Sequence, residues 1–221
     1  MSVLRGARVL LLGLFVGLTV SCTTGPDGEP IENIPAPTGT ETSAGSGSRV
    51  VGQAPPATQG TPSVVILQPH TAVDMPVPST PVDMDQYGRD FIPRLIVVRE
   101  GQAVLFKNSE DELHTVHVQD DDGESLFNVA MPIQGGVHNY TFDESGEYAV
   151  SCNAHQEMHA TILVVETPYA VVAERDGAFT LSGVVPGTYD LVLRQGNRRH
   201  EQVVAIVPGP NELSVDFPSA R

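Results

Sequence analysis

The chain has 221 residues and a formal net charge of −15, from 27 acidic and 12 basic side chains. This length accommodates one or two domains. The acidic balance argues against nucleic acid as a partner and favours a solvated acidic surface or a basic protein partner.

The N-terminus has the order of an export signal. Two arginines precede an apolar run from Val9 to Val20, which is too short to span a bilayer. The run ends at Ser21-Cys22 and resembles a bacterial lipoprotein signal, in which the cysteine becomes the lipidated first residue. Thr19 departs from that pattern, and the alternative is an ordinary export signal with an incidental cysteine. We expect residues 1–21 to be the signal and Cys22 the lipidation site, which leaves 10 basic against 27 acidic residues, a formal charge of −17.

Residues 22–62 are dominated by Gly, Pro, Ser, Thr and Ala, with almost no large apolar side chains. Such a segment buries too little apolar surface to offset the entropy lost on ordering. The composition therefore predicts a disordered tether, whose typical end-to-end distance is roughly 35 Å if it is flexible.

Short strands and turns follow from Ser63 onward. Leu95–Arg99 and Ala103–Lys107 flank Glu100-Gly101-Gln102 and predict a hairpin-like pair. His114–Gln119 alternates, which places His114 on one face with two valines and His117 on the other face. Because no segment has a sustained helical period, we expect an all-β protein built from sandwiches.

Three side chains suited to metal binding lie in the short loop after the strand that ends near Cys152. Cys152, His155 and Met158 fall between two strand-like runs, and His114 lies upstream. Two imidazoles, a thiolate and a weak axial thioether are the ligands of a blue-copper site. Zinc also accepts two imidazoles and a thiolate, and the methionine favours copper. With Cys22 assigned to lipid we expect no disulfide, and metal ligation explains an unpaired thiol in an oxidising compartment.

Each of these residues also has an alternative interpretation in which it binds no metal. Cys152 and Met158 are alternatively core residues, and His114 is alternatively a buried histidine. His117 is expected at the surface, and His159 either near the metal or, more simply, at the surface. The same surface position is expected for the remaining histidines, His70, His138 and His200.

The stretch from Gly88 to Glu166 resembles the cupredoxins of the plastocyanin, pseudoazurin and amicyanin type. The matching pieces are Phe91-Ile92-Pro93 with Leu95–Val98 and Gly101, Val104–Asn108 with His114-Thr115-Val116, and Gly146-Glu147-Tyr148 with Cys152, His155, Met158 and Ile162. The resemblance implies a Greek-key cupredoxin domain over residues 83–166 that binds one type 1 copper ion. It implies His114, Cys152 and His155 as strong ligands and Met158 as the axial ligand.

The chain departs from the cupredoxin pattern around these ligands. Thr115 stands where many cupredoxins have an asparagine that braces the ligand loop, and Gln156 stands where a proline is frequent. Glu157 beside the ligands is expected to lower the reduction potential if it faces the metal. The acidic loops Glu110–Glu112 and Asp120–Asp122 either attract a basic redox protein such as a cytochrome or are simply solvated.

The C-terminal part has a different pattern. Asp176–Phe179 and Val185–Tyr189 resemble the carboxypeptidase-regulatory, transthyretin-like sandwich, in which an early strand like Val64–Leu67 precedes this pair of turns. We therefore expect residues 63–82 and 167–217 to form one sandwich with the cupredoxin inserted between them. A plain tandem order is the alternative. The expected role of this part is structural or protein-binding.

Together these features predict a lipid-anchored one-electron carrier in a bacterial cell envelope, periplasmic or outer-membrane associated. The alternatives are copper sequestration or delivery without a redox partner, and a structural or adhesive sandwich with a vestigial site. An enzyme is not expected, because four protein ligands leave no open position for a small-molecule substrate.

Overall fold

The computed structural model describes residues 47–218, and all regular structure in this range is β-strand. Two strands come first, β1 Ser48–Gln53 and β2 Val64–Pro69. Nine follow, β3 Val82–Gln86, β4 Phe91–Ile92, β5 Leu95–Arg99, β6 Ala103–Asn108, β7 His114–Gln119, β8 Ser125–Met131, β9 Val137–Thr141, β10 Gly146–Ser151 and β11 His159–Val165. The last five are β12 Ala170–Val172, β13 Ala178–Val184, β14 Gly187–Gln195, β15 Arg198–Ile206 and β16 Pro210–Ser214. The expected all-β class is confirmed, and no helix of membrane-spanning length and apolarity occurs in this range.

Strands β3–β11 form the central sandwich. One sheet has the order β5-β11-β10-β7-β8 and the other the order β4-β3-β6-β9. Neighbouring strands are antiparallel except for the parallel pairs β5–β11 and β3–β6. In β6 and β7 every second residue is buried, so one face of each strand lies in the core between the sheets. The largest fully buried side chains of this core are Phe91, Phe106, Phe142, Met84, Met158 and Ile162.

The expected hairpin between β5 and β6 is wrong, because the two strands lie in opposite sheets. The turn between them is closed by Gln102, whose backbone N–H donates to the carbonyl of Arg99 at 2.8 Å. Its side-chain Oε1 accepts the N–H of Arg99 at 3.0 Å, and its Nε2 donates to the carbonyl of Thr80 at 3.1 Å. Gly101 has a φ of +80°, and a glycine with positive φ serves a sheet-to-sheet corner as well as a hairpin. The sequence pattern alone does not distinguish a hairpin turn from a corner that joins two sheets.

Strands β1, β2 and β12–β16 form the flanking sandwich, with sheets in the order β12-β2-β14-β15 and β13-β1-β16. The chain leaves this sandwich after β2, passes through the central sandwich and returns at β12, which pairs antiparallel with β2. Strand β15 pairs antiparallel with β14, and β16 lies parallel to β1. The core of the flanking sandwich contains residues that precede the central sandwich in the chain and residues that follow it. They include Val50, Leu67, Tyr169, Tyr189, Leu191 and Leu193.

The expected disordered tether extends too far. Residues 1–46, including the expected signal peptide and Cys22, lie outside the described residues, but residues 48–53 form strand β1. Val50 is fully buried, and a Cβ on Gly52 would lie 2.4 Å from the carbonyl oxygen of Leu213. The prediction failed because the polar, glycine-rich composition of the whole segment masked one short strand that is stabilised by distant partners.

The two sandwiches contact each other through apolar side chains. Val64, Ile66 and Val192 of the flanking sandwich cluster with Leu163 and Val165 of β11. Since β11 begins at His159 and reaches this contact at its far end, the flanking sandwich lies away from the loop that precedes β11.

Candidate metal centre

Three of the four expected ligands come from one loop that joins two paired strands. Strand β10 ends at Ser151, β11 begins at His159, and these two residues face each other across the ladder. Strand β10 also pairs antiparallel with β7, so the first residue of β7, His114, lies at the same end of the sheet as this loop. The ladder register therefore brings His114 to the residues of the loop.

The structure places the donor atoms of His114, Cys152 and His155 together. The Sγ of Cys152 lies 3.9 Å from Nδ1 of His114 and 3.8 Å from Nδ1 of His155. The two Nδ1 atoms are 3.1 Å apart. Each residue thus turns one atom that can bind a metal ion toward a common point.

Met158 closes the base of the loop. Its backbone N–H donates to the carbonyl of His155 at 3.1 Å, and its carbonyl accepts the N–H of Cys152 at 3.3 Å. The side chain is fully buried in the core of the central sandwich. The loop is therefore tight, and the side chain of Met158 packs in the protein interior.

The surroundings of Cys152 favour the thiolate form of its side chain. Burial raises its pKa, but the backbone N–H of Thr115, the side chain of His114, the N–H of Ala154 and the side chain of His155 outweigh burial and bring the pKa down to about 6. The N–H of Thr115 donates to the sulfur at 3.3 Å. A thiolate is the form that binds metal ions.

Thr115 stands where many cupredoxins have an asparagine, and it also braces the ligand loop. Its Oγ1 accepts the backbone N–H of Asn153 at 2.7 Å. Because its own N–H also donates to the sulfur, Thr115 ties the strand of His114 to the loop of Cys152 through two hydrogen bonds.

Two carboxylates lie against the outer nitrogens of the imidazoles. Oε2 of Glu110 is 3.1 Å from Nε2 of His114, and Oε1 of Glu112 is 3.1 Å from Nε2 of His155. The guanidinium of Arg89 donates to both oxygens of Glu112, at 2.7 and 3.1 Å. The hydrogen bond from Arg89 lowers the pKa of Glu112 despite the opposing effect of burial. Burial lowers the pKa of His155, but hydrogen bonds to Cys152 and then Glu112 raise it overall.

Asn108, at the end of β6, anchors the loop that carries these carboxylates. Its side chain is 1% exposed. Its Nδ2 donates to the carbonyls of Glu112 at 2.9 Å and Met131 at 2.8 Å, and its Oδ1 accepts the N–H of Glu110 at 2.9 Å. Sequence reasoning gave Asn108 and Arg89 no role at the site. The nearest signal was the cluster of acids directly before the first histidine.

The other residues singled out in the sequence lie elsewhere or at the rim. His117 faces away from the core and contacts Ser125, while His70, bonded to Asp190, and His159 are exposed. His138 was expected at the surface, but its Nε2 is buried and its ring packs on Phe127. Asp120–Asp122 follow the opposite end of β7 from His114, so only Glu110–Glu112 of the two acidic loops lies at the site.

Comparison with known proteins supports this view of the central sandwich. Residues 79–165 match the family described as copper binding proteins of the plastocyanin/azurin family. Residues 79–165 are therefore similar in sequence to a cupredoxin domain. The chain is 35% identical over 80 residues to cytochrome c oxidase subunit 2 of Thermus thermophilus, a match that covers 34% of this chain and 57% of that protein. Overall the chain spans about half the length of the curated relatives it matches.

Solved cupredoxin structures are also similar to this domain. Amicyanin from Paracoccus versutus is 21% identical, with a TM-score of 0.36 over 40% of this chain and 85% of that chain. A purple cupredoxin from Nitrosopumilus maritimus is 20% identical, with a TM-score of 0.34 over 38% of this chain and 99% of that chain.

The donor set of the central sandwich fits a copper ion. Two imidazole Nδ1 atoms and one thiolate sulfur converge within 4 Å of one another, with a buried thioether next in the loop. Nitrogen and soft sulfur donors without a carboxylate in the inner set are typical of copper sites of this type.

Proposed function

We propose that the chain is a copper-binding electron carrier whose ligands are His114, Cys152, His155 and Met158. The observation that carries the proposal is the convergence of Nδ1 of both histidines on the Sγ of Cys152. When bound there, one type 1 copper ion supplies a one-electron Cu(I)/Cu(II) couple.

The protein's part in this function is to hold the ligands before the metal arrives. The short loop, the Thr115 brace and the β7–β10 ladder fix three ligands without a metal. A site in which the ligands move little between redox states favours fast electron transfer. Four protein ligands also leave no open position for a substrate, which favours a carrier over an enzyme.

A basic redox protein, such as a cytochrome, is the partner that this surface favours. His155 is the ligand nearest to solvent, with a side chain 13% exposed. Leu113 and Ile133 are 50% and 63% exposed; Leu113 precedes His114, and Ile133 follows Met131, which faces His114 across the ladder. Beside this apolar surface lie Glu110–Glu112, and charge complementarity would steer a basic partner toward it.

We further propose that the protein is held in the bacterial envelope by a lipid on Cys22. The supporting feature is the arginine-then-apolar segment that ends at Cys22. A Cys22→Ala variant should be released from the membrane fraction, and its retention there would contradict lipid anchoring.

The flanking sandwich is proposed to be a transthyretin-like module with a structural or protein-binding role. Its support is the arrangement of β2 with β12–β16 around one core, together with the turn pairs near Asp176 and Pro186.

The carrier function is tested by electron exchange in solution. The Cu(I) protein should rapidly reduce a basic ferric cytochrome c, and the Cu(II) protein should rapidly oxidise the ferrous form. Both rates of electron exchange should fall as salt is added. The variant Leu113→Lys should slow electron exchange with the cytochrome without altering the absorption spectrum of the copper site. Tight copper binding with no exchange with basic or acidic partners would contradict the carrier and indicate sequestration or delivery instead.

A further inference from the structure

We infer that Glu110 and Glu112, together with Arg89, are positioning residues that aim both imidazoles at the metal and set the charge around it. This inference rests on the proposed copper site. It concerns side chains outside the set His114, Cys152, His155 and Met158.

The first support is that both histidines contact a carboxylate in the same way. Each histidine presents Nδ1 to the sulfur of Cys152 and Nε2 to a carboxylate oxygen 3.1 Å away. An ionised carboxylate only accepts hydrogen bonds, so Nε2 must carry the proton in each ring. In the neutral ring that binds a metal ion, the lone pair is then on Nδ1, which is the atom that faces the site.

The second support is that the carboxylates are themselves held. Asn108 fixes the backbone of Glu110 and Glu112 from a buried position. The backbone N–H of Arg89 donates to Oε2 of Glu110 at 3.1 Å, while its guanidinium binds Glu112 in a bidentate pair. One residue thus orients both carboxylates, each through a different group.

The third support is the backbone of Arg89. Its φ is +53°, in the left-handed region that non-glycine residues seldom occupy. Gly88, with a φ of +66°, and Arg89 form the two-residue turn between β3 and β4, a hairpin turn that requires positive φ at both central residues. This turn fixes the position from which Arg89 reaches Glu110 and Glu112.

The arrangement also makes a prediction about charge. Negative carboxylates near the ligands favour Cu(II) over Cu(I), and the positive charge of Arg89 offsets part of this effect. The side chains of Glu110 and Glu112 are 21% and 36% exposed, so solvent reduces the effect without removing its sign. Removing Glu112 and removing Arg89 should therefore shift the reduction potential in opposite directions.

The charge is tested by the reduction potentials of copper-loaded variants. Glu112→Gln should raise the potential, with about a tenfold change in the ratio of Cu(II) to Cu(I) affinities, or about 59 mV for a one-electron couple. Arg89→Gln should lower it. The matched control is Asp111→Asn, because Asp111 is exposed and makes no hydrogen bond or ion pair among residues 47–218. A shift in Asp111→Asn as large as that in Glu112→Gln, or shifts of equal sign in Glu112→Gln and Arg89→Gln, would overturn the inference.

Positioning is tested by proton NMR of the metal-free protein and by Cu(I) affinity against a competing chelator. Slowly exchanging Nε2–H protons are expected for both rings. Glu112→Ala should lose the His155 proton and keep that of His114, Glu110→Ala should do the reverse, and each should weaken Cu(I) binding about 10- to 100-fold. Glu112→Gln keeps an acceptor and should keep the proton. Loss of neither proton in the alanine variants would contradict positioning. A protein with both protons but no copper binding would contradict the proposed function alone.

Discussion

The central and flanking sandwiches use buried polar side chains in different ways. In the central sandwich Asn108, His114 and Cys152 are all nearly inaccessible and meet at one end of the sheets. In the flanking sandwich Gln195 and Thr167 are equally hidden, but each ties one segment of backbone to another. Gln195 also contacts the buried hydroxyl of Ser63 at 3.3 Å, so convergence of buried polar groups is not enough to indicate a metal site. What distinguishes the central sandwich is that the converging groups are imidazoles and a thiol.

The largest expected effect tests whether the two sandwiches are independent. Leu191 is fully buried in the flanking core. Leu191→Ala should reduce the free energy of unfolding by about 2–5 kcal/mol, from lost apolar burial and the cavity left behind. Urea denaturation of the metal-free protein measures this change. The folded variant should still give the full copper absorption, and loss of that absorption would show that the flanking core shapes the site.

Two buried amide side chains, Asn108 in the central sandwich and Gln195 in the flanking sandwich, allow the two sandwiches to be compared directly. Asn108→Ala and Gln195→Ala should each reduce the free energy of unfolding by about 1–3 kcal/mol, because each leaves buried carbonyl partners unpaired. Only Asn108→Ala should also weaken Cu(I) affinity, since Asn108 holds the loop of Glu110 and Glu112. Denaturation and chelator competition on both variants measure the two effects. Equal Cu(I) affinities would contradict the assignment of Asn108 to the site.

The thiolate gives the central sandwich a pH dependence that begins at about 6, whereas in the flanking sandwich burial raises the pKa of Tyr189 to about 12. Because the pKa of Cys152 falls to about 6 in the folded protein, the unfolded chain binds a proton there that the folded protein does not. The stabilisation is therefore complete above the thiol's ordinary pKa and is lost as the pH falls through about 6.

Unfolding of metal-free protein and of Cys152→Ser across this pH range measures that contribution. The difference in unfolding free energy between the two proteins should grow as the pH rises from about 6 toward the ordinary thiol range. A difference that does not vary with pH would contradict the thiolate.

The smallest effect concerns the contact between the sandwiches. Arg194 of β14 forms an ion pair with Glu147 of β10. Both side chains are partly exposed, so Arg194→Gln should change the free energy of unfolding by at most about 1 kcal/mol. Chemical denaturation measures the change, and copper binding should be unaltered. A larger loss would mean that this pair, and not the apolar cluster around Ile66 and Leu163, holds the sandwiches together.

The sequence was most informative where a local pattern decides the geometry. Alternation in β7 separated His114 from His117, and the short spacing from Cys152 to Met158 placed three candidate ligands in one loop. Both results follow from the fixed two-residue period of a strand and the limited reach of a short loop.

Long-range relations were not predictable in the same way. Gly101 marks a turn in the sequence, but only the pairing of distant strands shows that it joins two sheets. Strand β1 depends on β13 and β16, which lie more than a hundred residues away. Arg89 and Glu112 are also distant in the chain from His155, so the contacts that orient the imidazole had no local signal.

A copper titration followed by visible absorption decides whether one copper ion binds between His114, Cys152 and His155. An intense thiolate-to-copper charge-transfer band should grow to one copper per chain. It should be absent in Cys152→Ser and unchanged in His117→Gln, the matched histidine on the opposite face of β7. A missing band in the unaltered protein, or a band that survives in Cys152→Ser, would show that these residues do not form the copper site.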